Sequence, residues 1–270
     1  MKIAFRRDGS GPTVLLIHGV GGDADNWEPI AKRLRRRFDV IAIDLRGHGK
    51  SELIAGPLTA HDLARDAVQV LDETGVQKCA VVGFSLGGAV ALALTLEFPE
   101  RVDKLAVIGT VCGRTPEEKA KAQERIAFLK ERGTAGIAEA NRERWFTDAF
   151  RQQYPDLVER RVAQVKACDA DSYFHAFTVF ATADFVDRLS EIGVPTLVVT
   201  GERDLAATPR MAHLMAERIR DAEAHVLPGL KHSLLIEAPT AIASLLEPFL
   251  QYGTRSTGPE RVASTSSNAH

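Results

Sequence analysis

The sequence lacks an extended block of charge of one sign, a secretion signal and any apolar run of membrane-spanning length. Its 270 residues carry 34 basic and 36 acidic side chains, which gives a formal net charge of −2 at pH 7. This balance argues against nucleic acid and anionic membranes as partners. The N-terminal stretch MKIAFRRDGSGP has no apolar core of the kind that targets a chain for secretion. We therefore expect a soluble, cytoplasmic protein.

Cysteine is scarce, with three residues in the chain: Cys79, Cys112 and Cys168. An odd number without C-x-x-C spacing argues against both a disulfide framework and a cysteine-ligated metal site. We expect these side chains to behave as small apolar groups of a reduced protein. No metal is predicted.

The first part of the chain alternates strand-like and helix-like segments. Short apolar runs at residues 13–17, 40–45, 80–82 and 105–108 are typical of buried strands, and a shorter edge strand is predicted at residues 2–5. Strands and helices in this order favour a parallel sheet with right-handed crossovers and helices on both faces. The predicted fold class is α/β.

This alternation breaks at residues 113–189, where helical segments follow one another without a convincing buried strand. The predicted helices of this region cover residues 117–132, 134–146, 150–168 and 171–181. The α/β pattern then returns, with strands at residues 196–200 and 224–227 and helices at residues 209–219 and 239–250.

These patterns predict two structural units and a tail. Residues 1–112 and 190–252 form the α/β core, and residues 113–189 form a helical cap inserted between two of its strands. Residues 253–270 are rich in Ser, Thr and Gly and carry hardly any large apolar side chain, so we expect them to be disordered.

A sharp turn is predicted at residues 83–87, GFSLG, between a buried strand and a helix of small residues. The pattern G-x-S-x-G places its serine, Ser85, on a strained strand-to-helix turn with the hydroxyl exposed at the top of the sheet. Gly83 and Gly87 fit because a side chain at either position would collide with the neighbouring strand or helix. The pattern alone is equally compatible with a plain glycine-rich turn.

A nucleophilic serine needs a general base within hydrogen-bond reach and a third group that orients the base. In a parallel sheet, side chains that follow later strands meet at one edge. Asp204 and His232 follow the last two predicted strands, and the order Ser85, Asp204, His232 is known for this type of turn. The competing side chains are Glu202, Asp184 and Asp187 for the acid, and His18 and His48 for the base. We interpret His18 as a residue that fixes its loop.

The tetrahedral intermediate of acyl transfer needs two hydrogen-bond donors for its oxyanion. The backbone N–H of Leu86, directly after Ser85, is the first candidate. The second comes from the glycine-rich loop HGVGG at residues 18–22, where Val20 is favoured. Both are backbone roles.

Aromatic and basic side chains of the loops and of the predicted cap are candidates for substrate binding. We predict contacts from Trp27, Trp145, Phe146 and Arg144, because small-molecule pockets have aromatic walls and arginine binds carboxylates bidentately. Packing inside the cap is the alternative for the aromatic residues, and a solvated helix face is the alternative for the arginine. The further candidates, with the same alternatives, are Phe84, Phe174, Phe177, Phe180 and Arg142.

Five motifs in order, HGVGG, DLRGHGKS, GFSLGG and the loops that carry Asp204 and His232, resemble the α/β-hydrolase superfamily. Residues 144–150, RWFTDAF, and the arrangement from DADSY to VPTLVVTGERDLAATP resemble its 3-oxoadipate enol-lactonases and their carboxylesterase-like relatives. The resemblance implies an α/β-hydrolase fold, a triad of Ser85, Asp204 and His232, and no cofactor.

The same resemblance implies an oxyanion hole formed by Val20 and Leu86. Two stretches differ from the family pattern. Lys231 stands before the histidine where these enzymes commonly have glycine, and VFATADF at residues 179–185 replaces a more polar stretch that contains arginine.

The function predicted from the sequence is hydrolysis of a small ester or lactone through an acyl-enzyme intermediate. The alternatives are a C–C bond hydrolase of ring-cleavage products, a cofactor-free haloperoxidase or perhydrolase, and a hydrolase-fold protein that binds a small molecule. An intact triad favours an enzyme over the binding protein, although fold alone does not decide function. The oligomeric state is open, with a homo-oligomer among the options.

Overall fold

A seven-stranded sheet forms the centre of the molecule in the computed structural model, which describes residues 1–254. The strands are β1 (Phe5–Gly9), β2 (Thr13–Ile17), β3 (Asp39–Ile43), β4 (Cys79–Phe84), β5 (Val102–Ile108), β6 (Thr196–Gly201) and β7 (Ala222–Leu227). Their spatial order is β1-β3-β2-β4-β5-β6-β7, and within these residues β1 alone runs antiparallel to its neighbour. The predicted α/β fold class is confirmed.

Ten α-helices accompany the sheet within the described residues. They are α1 (Glu28–Leu34), α2 (Ala60–Glu73), α3 (Leu86–Glu97), α4 (Pro116–Trp145), α5 (Asp148–Gln153), α6 (Pro155–Lys166), α7 (Ala170–Thr182), α8 (Pro209–Arg218), α9 (Leu234–Glu237) and α10 (Pro239–Tyr252). The short helix α9 has no counterpart in the sequence prediction.

Helices cover both faces of the sheet, so its central strands are buried on both sides. In β2, Leu15 and Ile17 belong to the hydrophobic cluster that includes residues of α2 and α3. Val14 and Leu16 belong to the cluster on the other face, with residues of α1 and α10. The two-residue period of a strand produces this division, and it explains why TVLLI is a continuous apolar run.

The edge strand β1 lies at Phe5–Gly9, so its prediction at residues 2–5 is wrong. All five residues of β1 are exposed, and no hydrophobic pattern marks the strand. Its position depends on antiparallel pairing, with Phe5 opposite Ile43 and Gly9 opposite Asp39. In addition, Arg7 donates to both carboxylate oxygens of Asp39, at 2.9 and 2.8 Å.

Between β5 and β6 the chain forms α4 to α7, which we call the helical insertion (residues 116–182). At Gly133, φ is 65° and ψ is −171°, which interrupts α4 at the predicted boundary between two helices. The prediction of a single helix over residues 150–168 is wrong, because Pro155 disfavours helical backbone at Tyr154, where φ is −130° and ψ is 55°. The assignment of residues 113–189 as a separate cap remains a prediction.

The carboxyl ends of β2, β4, β6 and β7 lie along one edge of the sheet, and the loops that follow them meet there. Of the predicted tail, residues 255–270 lie outside the described residues. No helix in the described part of the chain combines the length and the apolar character that a membrane span requires.

Candidate active site

Ser85 lies at the tip of the turn that joins β4 to α3. Its backbone has φ 55° and ψ −114°, and within residues 1–254 it is the one non-glycine residue with positive φ. Residues with a Cβ rarely adopt this conformation, so the turn is locally strained. The Ser85 N–H donates to the carbonyl of Ile108 at 2.8 Å, which anchors the turn to the end of β5.

The glycines on either side of Ser85 are required by close backbone contacts. A Cβ at Gly83 would meet the carbonyl of Gly87, and a Cβ at Gly87 would meet the carbonyl of Ile17 in β2. Backbone atoms in a packed sheet cannot move aside as a flexible side chain can. The predicted steric role of both glycines is confirmed.

Ser85, Asp204 and His232 come together at the top of the sheet. His232 Nε2 lies 3.1 Å from Ser85 Oγ, and His232 Nδ1 lies 2.6 Å from Asp204 Oδ2. The Asp204 side chain is fully buried. Its second oxygen, Oδ1, accepts the backbone N–H groups of Ala206 at 2.8 Å and Ala207 at 3.0 Å. One carboxylate oxygen is therefore held by the loop, and the other orients the imidazole toward the serine.

The competing acidic side chains lie elsewhere and fix other loops. Asp184 accepts the N–H of Gly113 at 2.8 Å, and Glu202 accepts the N–H of Gly229 at 2.7 Å. Asp187 lies in the 3₁₀ turn that precedes β6. Among the acids of residues 1–254, Asp204 is the one that hydrogen-bonds to His232.

His18 and His48 are buried and hold the glycine-rich loop after β2. His18 Nε2 accepts the N–H of Leu45 at 2.9 Å, and its Nδ1 donates to the carbonyl of Gly19 at 2.8 Å. His48 Nε2 accepts the N–H of Gly21 at 2.9 Å. Each ring must stay neutral to accept through Nε2. The interpretation of His18 as a loop-fixing residue is confirmed.

Because His18 and His48 are buried, the free energy of unfolding should depend on pH in the acid range. Burial is the main cause that lowers the pKa of His18 to about 4 and that of His48 to about 3. A histidine of the unfolded chain titrates near 6.5, so between pH 6.5 and 4 the unfolded state binds more protons. The free energy of unfolding should therefore fall as the pH falls through this window, by about 1.4 kcal/mol per pH unit for each histidine.

Urea unfolding of wild type and His48→Gln between pH 7 and 4.5 measures this effect. We expect the variant to be less stable at pH 7 and to lose stability less steeply in acid. The exposed His213→Gln variant serves as the matched control and should follow the wild type. Equal slopes for wild type and His48→Gln would contradict the assignment.

Two backbone N–H groups beside Ser85 have no hydrogen-bond partner within the described residues. Leu86 is the first residue of α3, where the helix supplies no acceptor. The N–H of Val20 shares a peptide with the carbonyl of Gly19, which accepts the N–H of Gly22 at 3.0 Å. The two groups of a trans peptide point in opposite directions, so the Val20 N–H points away from that bond. Both N–H groups remain free to bind an anion.

A cavity of about 470 Å³ lies between the top of the sheet and the helical insertion and reaches Ser85. Its apolar and aromatic walls include Val20, Phe84, Trp145, Tyr173, Phe177, Phe180, Met211, Leu235 and Ile236. Its basic side chains include Arg114, Arg125, Arg144 and Arg161. The predicted contact residues Trp145 and Arg144 therefore line the cavity.

A family model described as the α/β hydrolase fold matches residues 12–239. The chain belongs to the α/β-hydrolase fold family. The strand order, the turn at Ser85 and the meeting of Ser85 with His232 agree with this membership.

Individual relatives of this α/β hydrolase place it near the enol-lactonases. It is 27% identical over 242 residues to 3-oxoadipate enol-lactonase 2 of Acinetobacter baylyi, with 89% of each chain covered. It is 27% identical over 249 residues to the (E)-2-((N-methylformamido)methylene)succinate hydrolase of the same organism, with 92% of this chain and 93% of the relative covered. The crystal structure of the enol-lactonase from Burkholderia xenovorans LB400 matches with a TM-score of 0.85 and 28% identity over 92% of this chain and 96% of that chain. The predicted resemblance is confirmed.

The structure of this hydrolase corrects two predicted substrate contacts, Trp27 and Phe146. Trp27 is 0% exposed and lies in the hydrophobic cluster with Ile30 of α1, beneath the loop. Phe146 is also 0% exposed and stacks on Phe150 with ring centroids 5.6 Å apart. Both rings are buried in the interior and do not line the cavity.

Two of the further candidates also lie outside the cavity. Arg142 forms ion pairs with Glu139 and Glu159 on the outer surface. Phe174 is partly buried against the larger hydrophobic cluster. Phe84, Phe177 and Phe180 do line the cavity.

Sequence reasoning missed Arg125, Arg161 and Tyr173, which face the cavity from α4, α6 and α7. Burial, followed by the nearby positive charge of Arg144, lowers the pKa of Arg125. Burial raises the pKa of Tyr173. Nothing in the local sequence marks these residues. They line one cavity because of the way in which α4, α6 and α7 pack against one another.

The loop that carries His232 is tied to the end of α4. The N–H of Ser233 donates to the carbonyl of Trp145 at 2.9 Å, and Lys231 Nζ donates to the carbonyl of Glu143 at 2.7 Å. Lys231 therefore links the histidine loop to the helical insertion. Glu237 of α9 accepts the N–H of Thr147 at 2.6 Å, and burial raises the pKa of Glu237.

The three cysteines form no disulfide in the structure, and Cys79 and Cys112 are buried. Burial raises the pKa of both thiols to about 12. Within the described part of the chain, no group of three His, Cys, Asp or Glu side chains is arranged to hold a metal ion.

Proposed function

We propose that this α/β hydrolase cleaves a small ester or lactone through an acyl-enzyme formed on Ser85. The hydrogen-bonded chain from Ser85 Oγ through His232 to Asp204 is the observation that carries the proposal. Because Asp204 accepts a hydrogen bond from the N–H at His232 Nδ1, the lone pair on Nε2 faces the serine hydroxyl. This is the arrangement that a general base requires.

The reaction divides into two acyl transfers. Ser85 Oγ attacks the carbonyl carbon while His232 Nε2 takes the hydroxyl proton, and the C=O electron pair moves onto the oxygen. The tetrahedral intermediate then expels the alkoxy oxygen, which takes the proton from His232. In the second transfer, water attacks the acyl carbon and gives its proton to His232. The bond to Ser85 Oγ then breaks, the serine regains its proton, and the acid is released.

The oxyanion of each tetrahedral intermediate binds to the free N–H groups of Val20 and Leu86. Both donors belong to the backbone of fixed turns, so little reorganisation is needed when the negative charge develops. The N-terminus of α3 also favours negative charge beside Leu86.

The basic wall of the cavity favours a substrate that carries a carboxylate. Arg144 has no hydrogen-bond or ion-pair partner within residues 1–254. Its neighbour Arg125 donates to the amide oxygen of Asn141 and forms no ion pair in the same range. Two adjacent guanidinium groups without a counterion are stabilised by a bound anion. The two curated relatives above are named after 3-oxoadipate and a succinate.

Turnover of short p-nitrophenyl esters and small lactones tests the proposed reaction class. We expect wild type to hydrolyse members of both sets. Cleavage of vinylogous diketones without cleavage of any ester would instead indicate a C–C bond hydrolase. A rise in melting temperature with a small ligand, without turnover of any substrate, would indicate a binding protein.

Arg144→Gln tests the recognition of a carboxylate. The matched substrates are mono-p-nitrophenyl succinate and p-nitrophenyl butyrate, which have acyl chains of equal length and differ in charge. Loss of a charge-assisted hydrogen bond should raise KM for the succinate ester by about 10- to 100-fold. KM for the butyrate ester should change by less than about threefold. Equal effects on both substrates would contradict a role for Arg144 in binding the carboxylate.

A further inference from the structure

Arg161 reaches from the helical insertion to the glycine-rich loop after β2. Its Nη2 donates to the carbonyl of Val20 at 2.8 Å, and its Nη1 donates to the carbonyl of Gly21 and, at 2.7 Å, to Gln164 Oε1. The guanidinium also lies over the ring of Trp145, with its carbon 5.1 Å from the ring centroid. The planar fork of arginine suits this simultaneous contact with two carbonyls.

These bonds fix the peptide that follows Val20 from both sides. The carbonyl of this peptide accepts from Arg161, and its N–H, which belongs to Gly21, donates to His48 Nε2 at 2.9 Å. The preceding peptide is held through the carbonyl of Gly19. The peptides before and after the Val20 α-carbon are both held by these hydrogen bonds. The Val20 N–H, which belongs to the first of them, therefore has one fixed direction.

The same face of α6 contacts the loop at a second point. Gln164 Nε2 donates to Asp23 Oδ2 at 2.9 Å and Gln164 Oε1 accepts from Asn26 at 3.3 Å. Asp23 caps the 3₁₀ turn that continues the loop. The loop is therefore held by the core histidines on one side and by α6 on the other.

Arg161 differs from Arg144, the other arginine that lies beside Trp145 in the cavity wall, in how its donors are used. Within the described residues it has no carboxylate partner at ion-pair distance, and its Nη1 and Nη2 already bind the loop and Gln164. Burial lowers its pKa. A partly buried cation without an ion pair needs hydrogen bonds in compensation, and the loop carbonyls supply them. Arg144, by contrast, has free donors for a ligand.

We infer that Arg161 is a positioning residue, which holds the Val20 N–H in place to bind the oxyanion and thereby makes the oxyanion hole depend on the helical insertion. This inference rests on the proposed function. Arg161, a residue of the helical insertion, would then contribute to the chemical step and not to substrate recognition.

The test compares Arg161→Met, Arg161→Lys and Arg160→Met with wild type on p-nitrophenyl acetate, a substrate without charge. Misplacing one oxyanion donor should lower kcat by about 10- to 100-fold in Arg161→Met and change KM by less than about threefold. Arg161→Lys retains the charge but cannot donate to both carbonyls at once. Its kcat should therefore lie between that of wild type and that of Arg161→Met. The neighbouring Arg160 is exposed and donates to the carbonyl of Asp156, so Arg160→Met should match wild type.

A trifluoromethyl ketone separates this role from a merely structural one. Its adduct with Ser85 places an oxyanion in the hole, so its inhibition constant should rise in Arg161→Met by the same factor by which kcat falls. Melting temperatures identify any variant that fails to fold, and Arg161→Lys then decides alone. Wild-type kcat in Arg161→Lys or in a folded Arg161→Met would overturn the inference. An effect confined to KM for mono-p-nitrophenyl succinate would also overturn it, by showing that Arg161 binds substrate.

Failure of the proposed function gives a different result. In that case wild type neither hydrolyses the acetate ester nor reacts with a fluorophosphonate at Ser85. Reaction of wild type and Arg161→Met with the fluorophosphonate at equal rates would leave the proposed function intact and contradict the inference about Arg161.

Discussion

Replacing Ser85 with alanine is expected to lower kcat for short p-nitrophenyl esters by about 10⁶-fold. The substitution removes the hydroxyl that forms the acyl-enzyme, so the covalent route is lost as a whole. Loss of one oxyanion donor costs about 10²- to 10³-fold, which is far less. Alanine is smaller than serine and has the same Cβ, so it can adopt φ 55° at the same cost in strain. The turn should therefore keep its shape.

Initial rates measured against the uncatalysed reaction give the size of this effect. The exposed Ser10→Ala variant is a matched control, since Ser10 lies between β1 and β2 and away from the site. It should retain wild-type kcat. Residual activity in Ser85→Ala above about one hundredth of wild type, well beyond what the oxyanion hole alone supports, would place the nucleophile elsewhere.

Asp204→Asn is expected to lower kcat by about 10⁴-fold without unfolding the loop. The N–H groups of Ala206 and Ala207 both donate to Oδ1, so the amide oxygen of the asparagine should occupy that position. Its NH₂ group then replaces Oδ2 and faces His232 Nδ1. A donor at this point forces Nδ1 to accept and moves the imidazole proton to Nε2. His232 then has no lone pair for the Ser85 proton.

Asp184→Asn provides the matched control for this substitution. Asp184 also accepts backbone N–H groups through one oxygen, but it contacts Gly113 and Val186 and not a histidine. The activity of this variant should stay within about threefold of wild type, because the hydrogen bonds of Asp184 contribute to stability and not to the transition state. A large loss in Asp184→Asn with little loss in Asp204→Asn would reverse the assignment of the acid.

The reactive side chains were predictable because each one lies in the loop or turn that follows a strand in the sequence. Parallel strands bring their carboxyl ends to one edge, so Ser85, Asp204 and His232 meet although they are far apart in the chain. The loop that carries Val20 also follows a parallel strand, β2, and reaches the same edge. Local sequence and sheet topology are sufficient for these positions.

The substrate cavity was less predictable because its walls depend on how helices pack on one another. Trp145 and Phe146 are adjacent, yet Trp145 lines the cavity and Phe146 is buried against Phe150. Trp27 follows a glycine-rich loop as a pocket residue would, but its ring packs beneath the loop. Periodicity within one helix gives its apolar face and does not show which neighbour that face meets.

Two errors in the predicted fold, the position of β1 and the single helix over residues 150–168, have different origins. The residues of β1 are all exposed and show no hydrophobic pattern, so the position of the strand depends on pairing with β3 and on the bond between Arg7 and Asp39. The break between α5 and α6 has a local cause, Pro155, but a proline at the first turn of a helix is also compatible with a longer helical region.

Rapid quenching of wild type during hydrolysis of p-nitrophenyl acetate tests the central claim most directly. An activated leaving group makes acylation fast, so the acyl-enzyme should accumulate before water releases it. We predict a burst of p-nitrophenol equal to the amount of enzyme, and one acetyl group on the peptide that contains Ser85. Steady hydrolysis with unmodified Ser85, or with the acetyl group on another residue, would contradict the account.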